Sequence, residues 1–235
     1  MAIDKQKLFE IILETIHRTG NDCRPEWPVI RRLLEQVIFN DPTKGCRIKG
    51  KKSDWNGLPK DKSLFWARTG CGLPIGNLTS QLFSNIYLDK LDQYCKRVLK
   101  CKHYGRYVDD FYIVAETKKE LVKLIEPIRQ FLKDELMLTL HPKKIWLHRQ
   151  EEGVPFLGYV LYDGERSMSR RGRSKMNERL AVALSMEQDP YKTRACVNSY
   201  EGYSRKFDDG GRKWFKGNRR LKDYWERRFG NRYIV

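Results

Sequence analysis

No uncharged apolar run in this 235-residue sequence is long enough to cross a bilayer, and no signal peptide or lipidation motif is visible. Spanning, secreted and lipid-anchored classes are set aside on that ground, and a cytoplasmic chain is expected. Six cysteines occur, Cys23, Cys46, Cys71, Cys95, Cys101 and Cys196, but no pair has C-x-x-C spacing. They read as reduced and structural, without a zinc site. Acid is scarce relative to base: Asp plus Glu number 30 against 47 Lys plus Arg, a surplus of 17 positive charges. Such a surplus creates a field that attracts a polyanion, and without a membrane segment nucleic acid is the expected partner.

What is present is enough for a folded core, with 40% hydrophobic and 12% aromatic residues. The opening residues read as a helix: Asp4 is an N-cap, Ile3 and Leu8 form a hydrophobic staple, and Leu8, Ile11, Ile12 and Ile16 share a face. After the break at Arg24–Pro28, Ile30, Leu33, Leu34, Val37 and Ile38 mark a second helix that ends at Asn40-Asp41-Pro42. Periodicity fades between Thr43 and Arg68, where a basic loop with short strands is expected.

Gly72 to Ser80 is the first chemically distinctive stretch, ahead of a helix carrying Leu82, Phe83, Ile86, Tyr87 and Leu91. Its two glycines and proline give a loop whose backbone can approach a phosphate or a base pair, although an ordinary tight loop has the same composition. The second is Tyr107-Val108-Asp109-Asp110, set among strand-forming Tyr104, Phe111, Tyr112, Ile113 and Val114. Two acids in such a run must reach solvent or meet cations. They suit either a solvated hairpin tip or a site for a hard divalent cation, which prefers carboxylate oxygen.

Downstream, Leu121–Leu136 reads as a helix, Leu138–Leu140 as a short strand, and Val154–Leu161 as a hairpin bent at Gly158. After Asp163 the composition shifts. Residues 164–235 hold 19 Lys and Arg against 9 Asp and Glu. Helices are expected at 175–186, 192–205 and 219–229, with most of the aromatics, including Tyr224, Trp225 and Phe229, packed inside.

Taken in order, these parts resemble the later motifs of a reverse transcriptase: a Gly-rich loop ending in Ser-Gln before a helix, a Y-x-D-D hairpin, an L-x-L-x-P-x-K stretch ending at Lys144, an F-L-G-Y hairpin and a basic helical tail. The resemblance implies an α+β fold, with a palm of antiparallel sheet and packed helices over residues 1–163, a basic helical thumb over 164–235, and fingers largely absent. It implies RNA-directed DNA polymerisation with two Mg²⁺ ions, Mn²⁺ being the alternative, on an RNA template, a DNA primer and deoxynucleoside triphosphates. Asp109 matches the metal-binding carboxylate and Asp110 its neighbour. Lys144, with Lys143 as the nearby alternative, matches the group that protonates pyrophosphate. Phe156-Leu157-Gly158-Tyr159 is similar to the primer grip, and Arg170, Arg171, Arg173 and Lys175 fall in the part similar to the heteroduplex-holding thumb.

Within the family, Ile75-Gly76-Asn77-Leu78-Thr79-Ser80-Gln81 resembles the loop of diversity-generating retroelement enzymes, where most bacterial intron and retron relatives have a Gln-Gly ahead and Ser-Pro after. That likeness implies a bacterial or phage-encoded enzyme that copies a template-repeat RNA, misincorporates at template adenines and works with a small basic accessory protein. The family has a further metal-binding Asp in a D-I-x-x-F-F stretch, which by this alignment falls just before Met1. An N-terminally truncated chain is therefore expected, ahead of one half of a split polymerase or an inactive nucleic-acid-binding remnant. Asp4 is not its substitute, because helix capping already accounts for it.

Overall fold

Asp4 does cap the first helix: its carboxylate accepts the Lys7 amide at 3.0 Å, and α1 runs from Lys5 to Arg18. The computed structural model describes residues 3–58, 63–185 and 190–207. The chain divides after Ile145 into two units. The shift in composition after Asp163 therefore lies inside the second unit.

In the first unit, α1 is followed by α2 (Trp27–Phe39), α3 (Leu78–Gln93), the strands β1 (His103–Tyr107) and β2 (Asp110–Val114), and α4 (Lys118–Leu136). Ile3 and Leu8, the two ends of the staple, are both buried. They join Ile11, Ile12, Phe83, Tyr87, Leu88, Leu91, Ile128, Leu132 and Leu136 in one core. Helical spacing on α1, α3 and α4 puts these apolar side chains on converging faces. One face of the β1–β2 hairpin, Tyr104 with Phe111 and Ile113, packs against that core. The start of α1 is tied to the segment before the Gly-rich loop by Lys5 N–H to Gly70 O at 2.9 Å and Gly72 N–H to Ile3 O at 2.7 Å.

Several expectations are corrected here. α2 forms, but only Ile38 of its apolar positions is buried; Val29, Ile30, Leu33 and Val37 are exposed. Among the described residues of 43–68 there are 3₁₀ turns at Lys52–Trp55 and Leu64–Trp66 and no strands. Leu138–Leu140 is not a strand either. The Leu138 amide is already used by the Leu132 carbonyl at 2.8 Å, where the chain leaves α4 through a left-handed Met137. α3 begins at Leu78, so Thr79 and Ser80 are helical and not part of the loop.

In the second unit, β3 (Val154–Phe156), β4 (Tyr159–Leu161) and β5 (Arg166–Met168) form an antiparallel sheet in that order. The third strand has no sequence signal, being three residues long and mostly polar. α5 (Arg170–Ser185) starts five residues earlier than its apolar spacing suggests, because the Ser169 hydroxyl caps it by accepting the Gly172 amide at 3.1 Å. α6 (Pro190–Ser204) follows, and Met168, Met176, Leu180, Val197 and Phe207 form a small core. The helix expected over 219–229 lies outside the described residues. The fold is mixed α+β. All six cysteines are free thiols; Cys71 and Cys95 are buried, whereas Cys23 and Cys46 are exposed.

Candidate active site

The β1–β2 connection is a two-residue turn, Val108-Asp109, closed by the pair Tyr107–Asp110. Strand alternation puts Asp110 on the face with Tyr112 and Val114, opposite the core-facing Phe111 and Ile113. Asp109 is at the turn, and both acids are exposed. Neither carboxylate has a hydrogen-bond or ion-pair partner among the described residues. Val108 holds φ +56°, a left-handed value suited to tight hairpin turns but costly for a β-branched side chain, by about 1–3 kcal/mol. On the outward face the Tyr112 ring covers Gly105, where a Cβ would come within 2.5 Å of it. A side chain at position 105 would have to displace the exposed Tyr112 ring.

Arg106 joins this turn to α3. Its Nε and Nη2 donate to Asp92 Oδ1 and Oδ2 at 2.8 and 2.7 Å, while Nη1 donates to Asn85 Oδ1 at 3.1 Å and to the Val108 carbonyl at 2.8 Å. The Tyr104 hydroxyl adds a bond to Asp92 Oδ1 at 2.6 Å. Partial burial raises the Asp92 pKa, but the bonds from Arg106 and Tyr104 and the guanidinium charge outweigh it and leave the carboxyl below its usual range. Burial, reinforced by Asp92, pushes the Tyr104 phenol up. Sequence reasoning used Tyr104 only as a strand former and did not single out Asn85, Asp92 or Arg106. Their signal was present as spacing: Asn85 and Asp92 are seven apart on one helix, and Tyr104 and Arg106 two apart on one strand, so each pair shares a face.

The Gly-rich loop leads straight into α3. Gly76 holds φ +101°, and Ile75 is 98% exposed, with Leu78 and Leu82 exposed on the first turns of the helix. Asn77 occupies the N-cap without a side-chain cap bond, Gln81 is exposed, and Ser80 is buried, its carbonyl accepting the Ser84 hydroxyl. Lys143 and Lys144 lie exposed on a 3₁₀ turn, Pro142–Lys144. Asp4, besides capping α1, lies 3.7 Å from the Arg68 guanidinium and accepts a long contact from the Cys71 thiol. Its carboxylate is thus occupied locally. Among the described residues no cluster of three or more acids, histidines or cysteines is assembled for a metal ion.

In the second unit the Phe156-Leu157-Gly158-Tyr159 segment is another two-residue hairpin turn, with Leu157 at φ +50° and Gly158 at +85°. Arg170, Arg171, Arg173 and Lys175 occupy the first two turns of α5. That is the positive end of the helix dipole, where cations are disfavoured unless anions offset them.

Residues 13–161 match the family described as Reverse transcriptase (RNA-dependent DNA polymerase). The chain belongs to this reverse transcriptase family. The matched span includes the acidic hairpin, the Gly-rich loop and the Phe156–Tyr159 turn. Among curated proteins, the putative COX1/OXI3 intron 2 protein of Saccharomyces cerevisiae is 25% identical over an alignment of 154 positions, covering 42% of this chain and 18% of that relative. This reverse transcriptase chain therefore spans less than a fifth of the length of the curated relative it matches. No described helix is long and apolar enough to cross a membrane.

Proposed function

We propose that this chain carries the palm and thumb of an RNA-directed DNA polymerase of the diversity-generating type, with Asp109 and Asp110 as metal ligands. The supporting observation is that family membership coincides with two adjacent, exposed carboxylates that no protein cation occupies, on a turn tied to the helix that begins at the Gly-rich loop. Oxygen-only donors of this kind fit a hard divalent cation such as Mg²⁺. When bound, such ions activate the primer hydroxyl and offset charge on the transferring phosphoryl group.

The chain's own residues supply the rest. Asp109 and Asp110 hold the ions, Lys144 or its neighbour Lys143 delivers a proton to pyrophosphate, and the Ile75–Asn77 loop and Gln81 line the nascent base pair. Ser80 contributes there through backbone placement, since its side chain is buried. The Phe156–Tyr159 turn holds the primer end, and the cations opening α5 grip the phosphates of the heteroduplex. An RNA template, a DNA primer, deoxynucleoside triphosphates and a small basic accessory protein complete the assembly, in a bacterial or phage setting.

The test is Mg²⁺-dependent primer extension on RNA. Asp109→Ala and Asp110→Ala should each lower it by on the order of 100–1000-fold, and unchanged activity in both overturns the assignment. Adenine misincorporation is tied to Ile75, an exposed apolar side chain where relatives carry glutamine; Ile75→Gln should reduce errors at template adenine, and an equal error spectrum would exclude that role.

One observation favours a second reading. No third acid joins Asp109 and Asp110 among the described residues. A non-catalytic nucleic-acid-binding chain, or one half of a split polymerase, would then bind RNA–DNA duplex with steep salt dependence and no requirement for Mg²⁺.

A further inference from the structure

Arg106 donates four hydrogen bonds, to both oxygens of Asp92, to Asn85 and to the carbonyl of Val108. Two of its partners lie on α3, and the third is the backbone of the turn that presents Asp109 and Asp110. The same helix begins one residue after Asn77, at the end of the Gly-rich loop. One guanidinium thus bridges the two parts of the site that must meet the same base pair.

We propose that Arg106 is a positioning residue that clamps the Val108–Asp110 turn to α3, so that the acidic pair and the Gly-rich loop are held in one register. This rests on the polymerase reading above. The chemistry of arginine is specific to the task. Its planar fork engages a carboxylate with two parallel bonds while its remaining nitrogen still reaches an amide and a carbonyl, whereas a lysine ammonium is a single point that cannot span all four acceptors. The clamp also acts where the backbone is least relaxed, since the carbonyl it holds belongs to Val108 at φ +56°. Both charged partners are largely shielded, with 10% of the Arg106 side chain and 17% of the Asp92 side chain exposed, so screening by solvent is limited. Neither Arg106 nor Asp92 bonds the carboxylate of Asp109 or Asp110. Their effect is transmitted through the turn.

The experiment uses the full chain in three forms beside the wild type: Arg106→Lys, which keeps the charge but loses the fork; Asn85→Ala, which removes one exposed acceptor and leaves the ion pair; and Asp109→Ala as control. Three quantities are read: amide hydrogen exchange over residues 107–110, Mn²⁺ affinity at the acidic turn, and primer extension with kcat separated from KM. Exchange and Mn²⁺ affinity are measurable whether or not the chain extends primers unaided.

For Arg106→Lys, faster exchange over 107–110 and weaker Mn²⁺ binding are expected. The kcat should fall about 10–100-fold, the scale of a misplacement near 1 Å, with KM for nucleotide almost unchanged. Asn85→Ala should move the same quantities in the same direction by less. Unchanged exchange in Arg106→Lys overturns the proposal. So does faster exchange with wild-type Mn²⁺ affinity, which would make Arg106 a fold contact only. Asp109→Ala separates the two ideas: if it binds Mn²⁺ like the wild type, the metal-site reading fails. If it loses Mn²⁺ while Arg106→Lys keeps it, only the clamp fails.

Discussion

The hydroxyl of Tyr87 donates to the carbonyl of Leu136 at 2.7 Å, a buried bond that joins the middle of α3 to the last residue of α4. Tyr87 is fully buried, and the Leu136 carbonyl is one of those a helix leaves unpaired at its C-terminal end. Tyr87→Phe keeps the ring and strands that carbonyl, so a loss of about 1–2 kcal/mol is expected in urea denaturation. Burial pushes the phenol pKa up to about 12 from its ordinary 10. A raised folded value means that this contribution is complete below pH 10 and is lost as pH climbs towards 12. The alkaline loss of stability should therefore be shallower in Tyr87→Phe than in the wild type.

Asp92 works in the opposite sense. Its carboxyl is held below the ordinary range, so the stability it contributes is present above the unfolded carboxylate value and disappears as pH falls through the folded one. Asp92→Asn leaves the Arg106 guanidinium without its charge partner and should cost about 2–3 kcal/mol at neutral pH, a partly exposed version of breaking a buried pair. The acid limb of the stability curve should flatten at the same time. Thermal melts from pH 2 to 7 on both proteins measure this.

The second hairpin carries its own backbone test. Leu157 and Gly158 both hold positive φ, as a two-residue turn requires. Gly158→Ala should destabilise the protein by about 1–2 kcal/mol through conformation alone, because the nearest atom to an added Cβ is at an ordinary 3.9 Å. Leu157→Gly should relieve strain and raise stability by about 1 kcal/mol. A destabilised Leu157→Gly would show that the exposed leucine is held by packing.

Four cations crowd the first two turns of α5. If they face phosphates, Arg170→Ala with Arg171→Ala should reduce the slope of log affinity against log salt for an RNA–DNA duplex by roughly 1–2. Affinity should fall similarly for unrelated sequences. Filter binding across 50–300 mM salt, a range of about sixfold, reads both effects; an unchanged slope removes these residues from the interface.

Much of the first unit was legible because its signals are local. A cap binds three residues ahead, a helical face repeats every three or four residues, and a hairpin folds back through two; Asp4, the apolar spacing on α1, α3 and α4, and the Tyr107–Asp110 turn are all of this kind. The order of motifs made the acidic pair the candidate centre of a reverse transcriptase before any coordinates. Where the reading failed, the deciding partner lay outside the segment being read. Leu138–Leu140 looks like a strand, yet its first amide is captured by the end of α4. The β5 strand exists only because β4 lies beside it. The apolar stripe of α2 was visible, but not that most of it would face solvent.

Sequence alone determined α1 to α4 and both hairpin turns, and it set Asp109 and Asp110 side by side at the first turn, since each depends on backbone and side-chain preferences within a few residues. Tertiary structure alone decided that Ser80 is buried and Ile75 exposed, and that Arg106 reaches across 14 residues to Asp92 and 21 to Asn85. Those contacts arise from how a strand crosses a helix, and the crossing is set by the whole core.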